Sequence, residues 1–391
     1  MIKSYLLRLL LSSHPIIHPF NFGILNRIIA CSQPYRHSNK KRTWNVDIDP
    51  VGTQLNRPLP RDNKLKVNLD KILIYTGIAQ TYGIPNWDMR IFYAILKYTN
   101  DFKGTSPILS FNAKVRKKDP RLITIASEEI ATGICYYILQ EYFGMVHIAD
   151  VYQSIQKGEL KYANSKKRYR PDYFCQDSNK ETLLAESKGG TGNPRSFENM
   201  LINKGKQQVL NVDPVNLPLR KHCNRVVIGT HFCIHNNSKG YETTTYIKDP
   251  EGNKSKEENS NSDVLLRLSY SKLLYFTGQY ELANRLVSRD KTSDIFELFQ
   301  TVHLPFAGSL EVIPIGITPF GDSICLYEET AKVLFRGKSQ NLSDQVNKSL
   351  SNFSRERQNI DKENGYSFSN GIIIVHDDGE LFAGSIIKRY F

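Results

Sequence analysis

The sequence lacks several patterns that would each assign a function class. Its six cysteines are scattered, with no Cys-x-x-Cys pair, which argues against a zinc finger and is typical of a reducing compartment. The glycine-rich segment 189–192 lacks the Gly-Lys-Ser/Thr ending of a nucleotide-binding P-loop. No nucleophile-elbow pattern supports a serine hydrolase. We therefore expect a cytoplasmic protein with a different chemistry.

Acidic residues are also missing from positions 1–46, although lysines and arginines recur there. We interpret this segment as a retained basic arm, and a targeting segment is the alternative. Long apolar runs are missing too, because none approaches the ~20 residues that a membrane span needs. We expect no membrane span.

Basic residues are in excess over the whole chain. The 391 residues contain 52 Lys and Arg against 39 Asp and Glu, a net charge of +13. Such an excess favours a polyanionic partner, and nucleic acid is the partner that we expect. A hydrophobic content of 40% can fill the cores of two or three domains.

The hydrophobic pattern divides the chain into four regions. We expect a basic arm and helical region over 1–120, a central core over 121–250, a polar linker over 251–263, and an α+β region over 264–391. The last region is predicted to contain a helix over Val264–Val287, strands over Leu310–Ile317 and Ile324–Tyr327, a helix over Leu342–Arg357, and a terminal hairpin of Gly371–His376 with Leu381–Ile387.

The central region has a regular order of predicted elements. A helix capped by Ser127, a two-stranded hairpin, a second helix and a further strand follow one another. Their predicted bounds are Ser127–Tyr142, Arg170–Gln176, Thr182–Lys188, Ser196–Leu210 and Arg225–Ile234.

The predicted hairpin brings polar residues together at one end. In ordinary register Asp172 lies beside Glu186, and Lys188 points to the same face as Glu186, at an exposed edge. Two carboxylates can hold Mg²⁺ or Mn²⁺, with the backbone carbonyl of Ser187 as an extra ligand. Lys188 could orient or deprotonate an attacking water, or neutralise charge on a phosphate.

These residues carry a family resemblance. Pro171-Asp172, a turn, and then Glu186-Ser187-Lys188 resemble the signature of the PD-(D/E)XK nuclease superfamily. The resemblance covers roughly residues 127–250 and implies a restriction-endonuclease-like fold. It implies that Asp172 and Glu186 hold a divalent metal and that Lys188 assists the water.

The resemblance also implies residues on the flanking helices. A glutamate on the preceding helix often joins the site, and we favour Glu129 over Glu128 because it lies closer to the apolar face. On the following helix, Gln208 is the expected catalytic residue and Lys204 an expected nucleic-acid contact.

Further basic residues and glycines surround the motif. Lys166, Lys167, Arg168 and Arg170, interleaved with tyrosines, are predicted to bind phosphates and stack on bases. The glycines at 189–192 are interpreted as room for a DNA backbone. The cluster of His222, Cys223, His231, Cys233 and His235 fits no metal-ligand template, so we expect core residues there.

The sequence therefore predicts a metal-dependent endonuclease in an α/β (α+β overall) protein. We expect a mixed central sheet flanked by helices, a DNA substrate, and a role in defence against foreign DNA. A catalytically silent nucleic-acid-binding protein and an RNA-directed nuclease are the alternatives. The C-terminal region is expected to supply substrate choice, a surface for a protein partner, or a homodimer contact.

Overall fold

The computed structural model describes part of the chain, which divides into two compact units. The larger unit is Lys40–Phe276 with Leu286–Ser288, and the smaller one includes Thr277–Arg285 and the chain from Arg289 onward. The described residues are 42–48, 64–67, 69–81, 98, 101–102, 109–163, 169–215, 223–234, 242–248, 263–290, 292, 296–297, 299–307, 310–317, 322–336, 341–357, 360 and 365–376.

The larger unit alternates helices and strands. Its elements are β1 (Arg42–Ile48), β2 (Lys64–Val67), α1 (Leu69–Gln80), α2 (Pro120–Glu141), β3 (Met145–Asp150), α3 (Val151–Gln156), β4 (Leu160–Tyr162), β5 (Tyr173–Asp177), β6 (Thr182–Gly190), α4 (Pro194–Met200), α5 (Lys206–Val209), β7 (Val212–Pro214), β8 (Asn224–His231), β9 (Thr244–Lys248) and α6 (Asp263–Phe276). A π-helical turn, Leu201–Gly205, joins α4 to α5. Helix α6 belongs to this unit, whereas the sequence analysis assigns it to the C-terminal region.

A seven-stranded mixed sheet lies at the centre of this unit, in the order β2-β1-β9-β8-β6-β5-β3. Strands β6 and β8 are parallel, as are β1 and β9, and the other neighbours are antiparallel. The mixed sheet agrees with the predicted fold class. It is wider than predicted, because β1 and β2 come from the region 1–120, for which we expect a basic arm and helices.

Helix α2 begins earlier than the sequence analysis expects. Asp119 caps it by accepting a hydrogen bond from the Arg121 amide at 2.8 Å, and Pro120 occupies the first turn. Both residues are favoured at a helix start. Ser127, the predicted cap, is instead buried inside the helix, where its hydroxyl donates to the Thr124 carbonyl.

Helix α2 has the length and apolar composition of a membrane span, and it is the one helix in the described ranges that has both. Most of its apolar stretch is buried inside the protein, where Ile130, Ile134 and Ile138 are fully enclosed. Core helices of water-soluble proteins meet the same length and composition test, so this is weak evidence for a span.

The two faces of β6 are covered by different helices. A Cβ at Gly189 would overlap the Ser127 carbonyl of α2, and one at Gly190 would lie 2.7 Å from the Phe197 ring of α4. Because side chains alternate along a strand, the two helices flank opposite faces of the sheet. Gly189 and Gly190 are therefore required for helix–sheet packing. A Cβ at Gly192 would meet open space, so room for a DNA backbone stays a prediction there.

Two apolar clusters fill the layers beside the sheet. One joins Phe174 of β5 and Leu184 of β6 to Leu265 and Leu268 of α6. The other joins Phe197 and Leu201 to Val227 of β8 and Tyr246 of β9. Burying these side chains stabilises the sheet ends from which the polar residues project.

The smaller unit has its own antiparallel sheet, in the order β10-β11-β12-β14-β13. Its elements are α7 (Tyr280–Ser288, which ends in the larger unit), β10 (Val302–His303), β11 (Glu311–Ile317), β12 (Ser323–Tyr327), α8 (Glu328–Arg336), α9 (Leu342–Glu356), β13 (Gly365–Ser367) and β14 (Ile372–Val375). The single helix predicted over Val264–Val287 is interrupted at Gly278, which has a φ of 80°.

The terminal hairpin differs from its prediction. Strand β14 pairs with β12 on one side and with β13 on the other, so both of its edges are occupied. The strand predicted at Leu381–Ile387 lies outside the described residues. A short segment before β14, rather than one after it, supplies its hairpin partner.

Candidate active site

Asp172 and Glu186 meet at the end of the β5–β6 ladder. The last paired residues are Tyr173 and Ala185, and the Asp172 amide donates to the Ala185 carbonyl at 3.1 Å. Asp172 directly precedes Tyr173, and Glu186 directly follows Ala185. The hairpin and its register, which the sequence analysis predicts, are present in the structure.

Asp172 is held through both its side chain and its backbone. Its Oδ2 accepts a hydrogen bond from the Ser187 amide at 2.9 Å, and its carbonyl accepts one from the Val151 amide at 3.0 Å. Since the N–H and C=O of one strand residue point to the same side, the Ser187 carbonyl also faces Asp172. The predicted backbone ligand is therefore on the side where the carboxylates meet.

Glu186 is fully buried, which corrects the expectation of an exposed edge. The Lys188 ammonium donates to its Oε1, whereas Oε2 has no hydrogen-bond partner within the described residues. Burial raises the pKa of Glu186 well above its usual range, and the nearby Asp172 raises it further. A buried carboxylate oxygen without a partner is rare and indicates a place for a cation or proton.

Lys188 connects the buried carboxylate to solvent. It points to the same face as Glu186, as predicted, and its side chain is 24% exposed. Burial alone would lower the pKa of Lys188, but the Glu186 carboxylate raises it above its usual value. Lys188 is therefore a cation at neutral pH, suited to orienting water or stabilising negative charge.

The preceding helix places Glu128 close to this lysine. The Glu128 Cα lies 2.7 Å from the position that a Cβ on Gly189 would take, and the Glu128 charge contributes to the raised pKa of Lys188. Glu129 instead accepts a hydrogen bond from the Tyr98 hydroxyl. The structure therefore favours Glu128 over the predicted Glu129, because α2 approaches the strand closely at Ser127 and Glu128.

The helix after the motif brings Gln208 to the site. Its side-chain amide donates to the Arg170 carbonyl at 3.1 Å, and the polar Gln208 side chain is close enough to Glu186 to lower the pKa of that carboxyl. The π-helical turn changes the phase of this helix just before Gln208; such turns are frequent at functional sites. Lys204, within that turn, is exposed.

The predicted basic run is described only at its end. Lys166, Lys167 and Arg168 lie outside the described residues. Arg170 is exposed, and its guanidinium lies 4.9 Å from the centre of the Tyr152 ring. The two described cationic candidates, Arg170 and Lys204, are thus both accessible to a polyanion.

A second buried ion pair lies behind the site and was not predicted. The Lys272 ammonium of α6 lies 2.6 Å from Oδ1 of Asp150, the last residue of β3, and 5.4 Å from the Tyr173 ring centre. Asp150 is paired in register with Tyr173, the residue after Asp172. Both charges influence the pKa of Asp172, which burial raises, so the pair belongs to the electrostatic surroundings of the site.

The histidine and cysteine cluster behaves as core where it is described. His231 is buried, and its Nε2 lies 3.2 Å from the Gly192 carbonyl. Cys223 is buried and Cys233 half-buried, both without a disulfide, and His222 and His235 lie outside the described residues. Over the ranges that the structure describes, no three His, Cys, Asp or Glu side chains form a group that could hold a metal.

The oxygen atoms at the site nevertheless suit a magnesium ion. Mg²⁺ is commonly held by one or two carboxylates and keeps several waters, so it does not require three protein side chains. Asp172, Glu186 with its unpartnered Oε2, and the Ser187 carbonyl are all hard oxygen donors. The donor set fits this ion better than it fits zinc.

Comparison with known proteins adds no assignment to this geometry. No protein-family model, no curated protein and no solved structure matches the chain.

Proposed function

We propose that this chain is a metal-dependent endonuclease of the PD-(D/E)XK superfamily, which hydrolyses phosphodiester bonds in DNA. One observation carries the proposal. Asp172, Glu186 and Lys188 meet at the end of two paired strands, and the buried Glu186 has one carboxylate oxygen bonded to Lys188 and the other without a hydrogen-bond partner among the described residues.

The order of elements supports a restriction-endonuclease-like core. Helix α2, the β5–β6 hairpin, the α4–α5 helical segment and strand β8 follow one another, and β8 returns parallel to β6. This is the predicted order of helix, hairpin, helix and strand, with β3, α3 and β4 inserted before the hairpin and β7 before β8. Strand β3 extends the sheet beyond β5.

Mg²⁺ or Mn²⁺ is the proposed cofactor, with Asp172, Glu186 and the Ser187 carbonyl as its ligands. When bound, such an ion would lower the pKa of a water and stabilise the leaving oxygen. The protein contributes orientation, because the Ser187 amide fixes Asp172 and Lys188 fixes Glu186.

Lys188 is proposed to stabilise charge rather than to remove a proton. Its pKa is raised by the Glu186 carboxylate, so the ammonium form predominates at neutral pH. An ammonium can donate hydrogen bonds to a phosphate oxygen and to the attacking water, but it cannot accept a proton. Gln208 supports the same region through the Arg170 carbonyl.

A digestion series tests the proposal. Plasmid DNA is incubated with the full chain in Mg²⁺, Mn²⁺, Ca²⁺ or EDTA, and cleavage is followed on gels. We expect cutting in Mg²⁺ and Mn²⁺, no cutting in EDTA, and binding without cutting in Ca²⁺, whose longer bonds activate water poorly. Lys348→Ala, an exposed lysine of the smaller unit, is the matched control for Lys188→Ala.

The alternatives are separated by the same series. Binding that persists with no cutting in any ion would support a catalytically silent nucleic-acid-binding protein. Preferential digestion of RNA in a parallel reaction would support an RNA-directed nuclease. Undiminished cutting in EDTA would mean that Asp172 and Glu186 are not metal ligands.

The biological role is proposed by analogy with the family. Defence against foreign DNA in the cytoplasm would suit a basic protein with this chemistry. The identity of neighbouring genes would distinguish defence from repair or transposition.

A further inference from the structure

Two tyrosine rings beside the candidate active site are exposed to solvent. Tyr152 is 50% exposed and Tyr169 is 45% exposed. In the described part of the chain, large hydrophobic side chains with this much exposure are few; the others are Leu122, Ile125 and Val215. Large aromatic rings stabilise a protein most when buried, so two exposed rings near one site invite a functional explanation.

Both rings are carried by backbone close to Asp172, Tyr152 through a hydrogen bond of its neighbour and Tyr169 through its place in the chain. Tyr152 follows Val151, whose amide donates to the Asp172 carbonyl at 3.0 Å. Tyr169 precedes Asp172 by three residues, and its carbonyl accepts a hydrogen bond from the Asn211 side chain. The positions of the two residues are thus fixed relative to Asp172.

A cation lies over one of the two rings. The Arg170 guanidinium is 4.9 Å from the Tyr152 ring centre, and the Arg170 carbonyl is held by Gln208 at 3.1 Å. Arginine can stack on an aromatic ring and still donate hydrogen bonds to a phosphate. Tyr152, Tyr169 and Arg170 therefore combine flat apolar surface with positive charge, as single-strand-binding surfaces do.

We propose that Tyr152 and Tyr169 stack on unpaired bases while Arg170 binds the neighbouring phosphate, so that the site acts on DNA with unpaired bases rather than on continuous duplex. The inference rests on the proposed nuclease function and specifies its substrate. In a continuous duplex the base faces are stacked on one another and are not available to a protein ring. In a single strand, an overhang or a bubble, those faces are accessible.

Binding measurements test the inference without cleavage. Fluorescence anisotropy in EDTA compares a labelled single strand with a duplex of the same sequence, using the full chain. Stacking on one base contributes enough that each Tyr→Ala change should weaken single-strand binding roughly tenfold. The double variant Tyr152→Ala with Tyr169→Ala should therefore lose about 100-fold, and duplex binding should change by less than about threefold.

Three controls isolate the rings. Tyr152→Phe and Tyr169→Phe keep the flat surface and should retain single-strand affinity. Val215→Ala removes an exposed apolar side chain that is not aromatic and should have no effect. Arg170→Gln should weaken single-strand and duplex binding alike, because phosphates are present in both.

The outcomes separate this inference from the function on which it rests. If the wild-type chain cuts DNA in Mg²⁺ but the double variant binds single strands as tightly as the wild type, the stacking surface is wrong and the nuclease proposal stands. Equal losses on single strand and duplex would likewise overturn the stacking surface alone. If the wild-type chain neither cuts nor binds nucleic acid, both proposals fall.

Discussion

Two carboxylate–lysine pairs lie near Asp172, and they differ in the solvent exposure of the lysine. In the pair Glu186–Lys188 both residues are on β6, two positions apart, and the lysine is 24% exposed. In the pair Asp150–Lys272 the residues come from β3 and α6, 122 positions apart, and the lysine is only 1% exposed. The first pair can meet a substrate, whereas the second is sealed within the protein.

The difference in solvent exposure indicates that the two pairs have different roles. A buried lysine paired with a buried carboxylate cannot exchange that partner without exposing a charge to the apolar interior. A lysine at the solvent boundary can leave its carboxylate when a cation and a phosphate arrive. We therefore propose that Glu186–Lys188 takes part in the proposed reaction and that Asp150–Lys272 gives Asp172 structural support.

Loss of cleavage is the largest expected effect. Asp172→Asn, Glu186→Gln and Lys188→Ala should each reduce cleavage by roughly 10²–10³-fold or more, because each removes a group that orients the cation or stabilises charge. The Asn and Gln changes keep the volume of the side chain, so folding should be retained. Single-turnover digestion measures the rate, and circular dichroism checks the fold.

A second acid-x-lysine pair in the larger unit provides the control. Glu159 and Lys161 have the same spacing as Glu186 and Lys188. Lys161 is in β4, and Glu159 directly precedes that strand. Glu159→Gln and Lys161→Ala should leave single-turnover cleavage within about threefold. Near-normal cleavage by any two of the three site variants would contradict the assignment.

The free energy of unfolding should change most when Asp150–Lys272, which we call the sealed pair, is broken. Lys272→Met leaves Asp150 buried without its partner, and removing one member of a buried pair costs about 3–5 kcal/mol. Urea unfolding followed by circular dichroism measures the change. Adding Asp150→Asn to Lys272→Met should recover much of the loss, since no uncompensated charge then remains.

Glu186–Lys188, which we call the open pair, should have a smaller effect on the free energy of unfolding. Lys188→Met should reduce the free energy of unfolding by less than about 1 kcal/mol, because Lys188 is partly solvated and Glu186 can take up a proton. Equal destabilisation by Lys188→Met and Lys272→Met would remove the distinction between the two pairs.

Cation affinity should depend on pH through the open pair. Burial raises the pKa of both Asp172 and Glu186, so each carboxylate stays protonated to a higher pH than usual. A cation requires the deprotonated forms, and its affinity should therefore rise with pH, up to about tenfold per pH unit for each proton released, and then level off. Calorimetric titration of Mn²⁺ in buffers of different ionisation enthalpy counts the protons.

The free energy of unfolding of the metal-free protein should fall as pH rises, whereas the cation affinity increases. A carboxyl with a raised pKa in the folded state favours folding at low pH, and this contribution is lost as pH rises through the folded-state pKa. Glu186→Gln should flatten both dependences. Mn²⁺ affinity that is constant from acid to neutral pH would show that Asp172 and Glu186 do not bind the ion.

The sequence identified the open pair because its evidence is local. A two-residue spacing on a strand fixes the shared face of Glu186 and Lys188, and the turn after β5 fixes the register that brings Asp172 to them. The mixed sheet flanked by helices also follows from the predicted order of helix, hairpin, helix and strand. Both conclusions depend on residues close together in the chain.

The sealed pair could not be predicted for the opposite reason. Lys272 lies in an apolar helix whose sequence does not indicate which strand it packs against. A polar residue within that apolar pattern was the available signal, but its partner Asp150 is specified only by tertiary packing. The burial of Glu186 was missed because it depends on the helices that cover the end of the sheet.

Replacing Glu128 of α2 should have the smallest effect on cleavage, and it tests how a neighbouring charge acts on the open pair. The sequence alone favours Glu129, but Glu129 accepts a hydrogen bond from Tyr98, and the Glu128 charge acts on Lys188. Glu128→Gln should therefore lower the pKa of Lys188 and reduce cleavage by about threefold to tenfold, in line with the modest size of single acid–base contributions. Glu129→Gln is the matched control and should leave the cleavage rate unchanged. A pH–rate profile distinguishes an electrostatic role from a structural one, because Glu128→Gln should shift its alkaline limb to lower pH. A larger loss in Glu129→Gln than in Glu128→Gln would restore the original choice and would mean that α2 presents its other glutamate to the substrate.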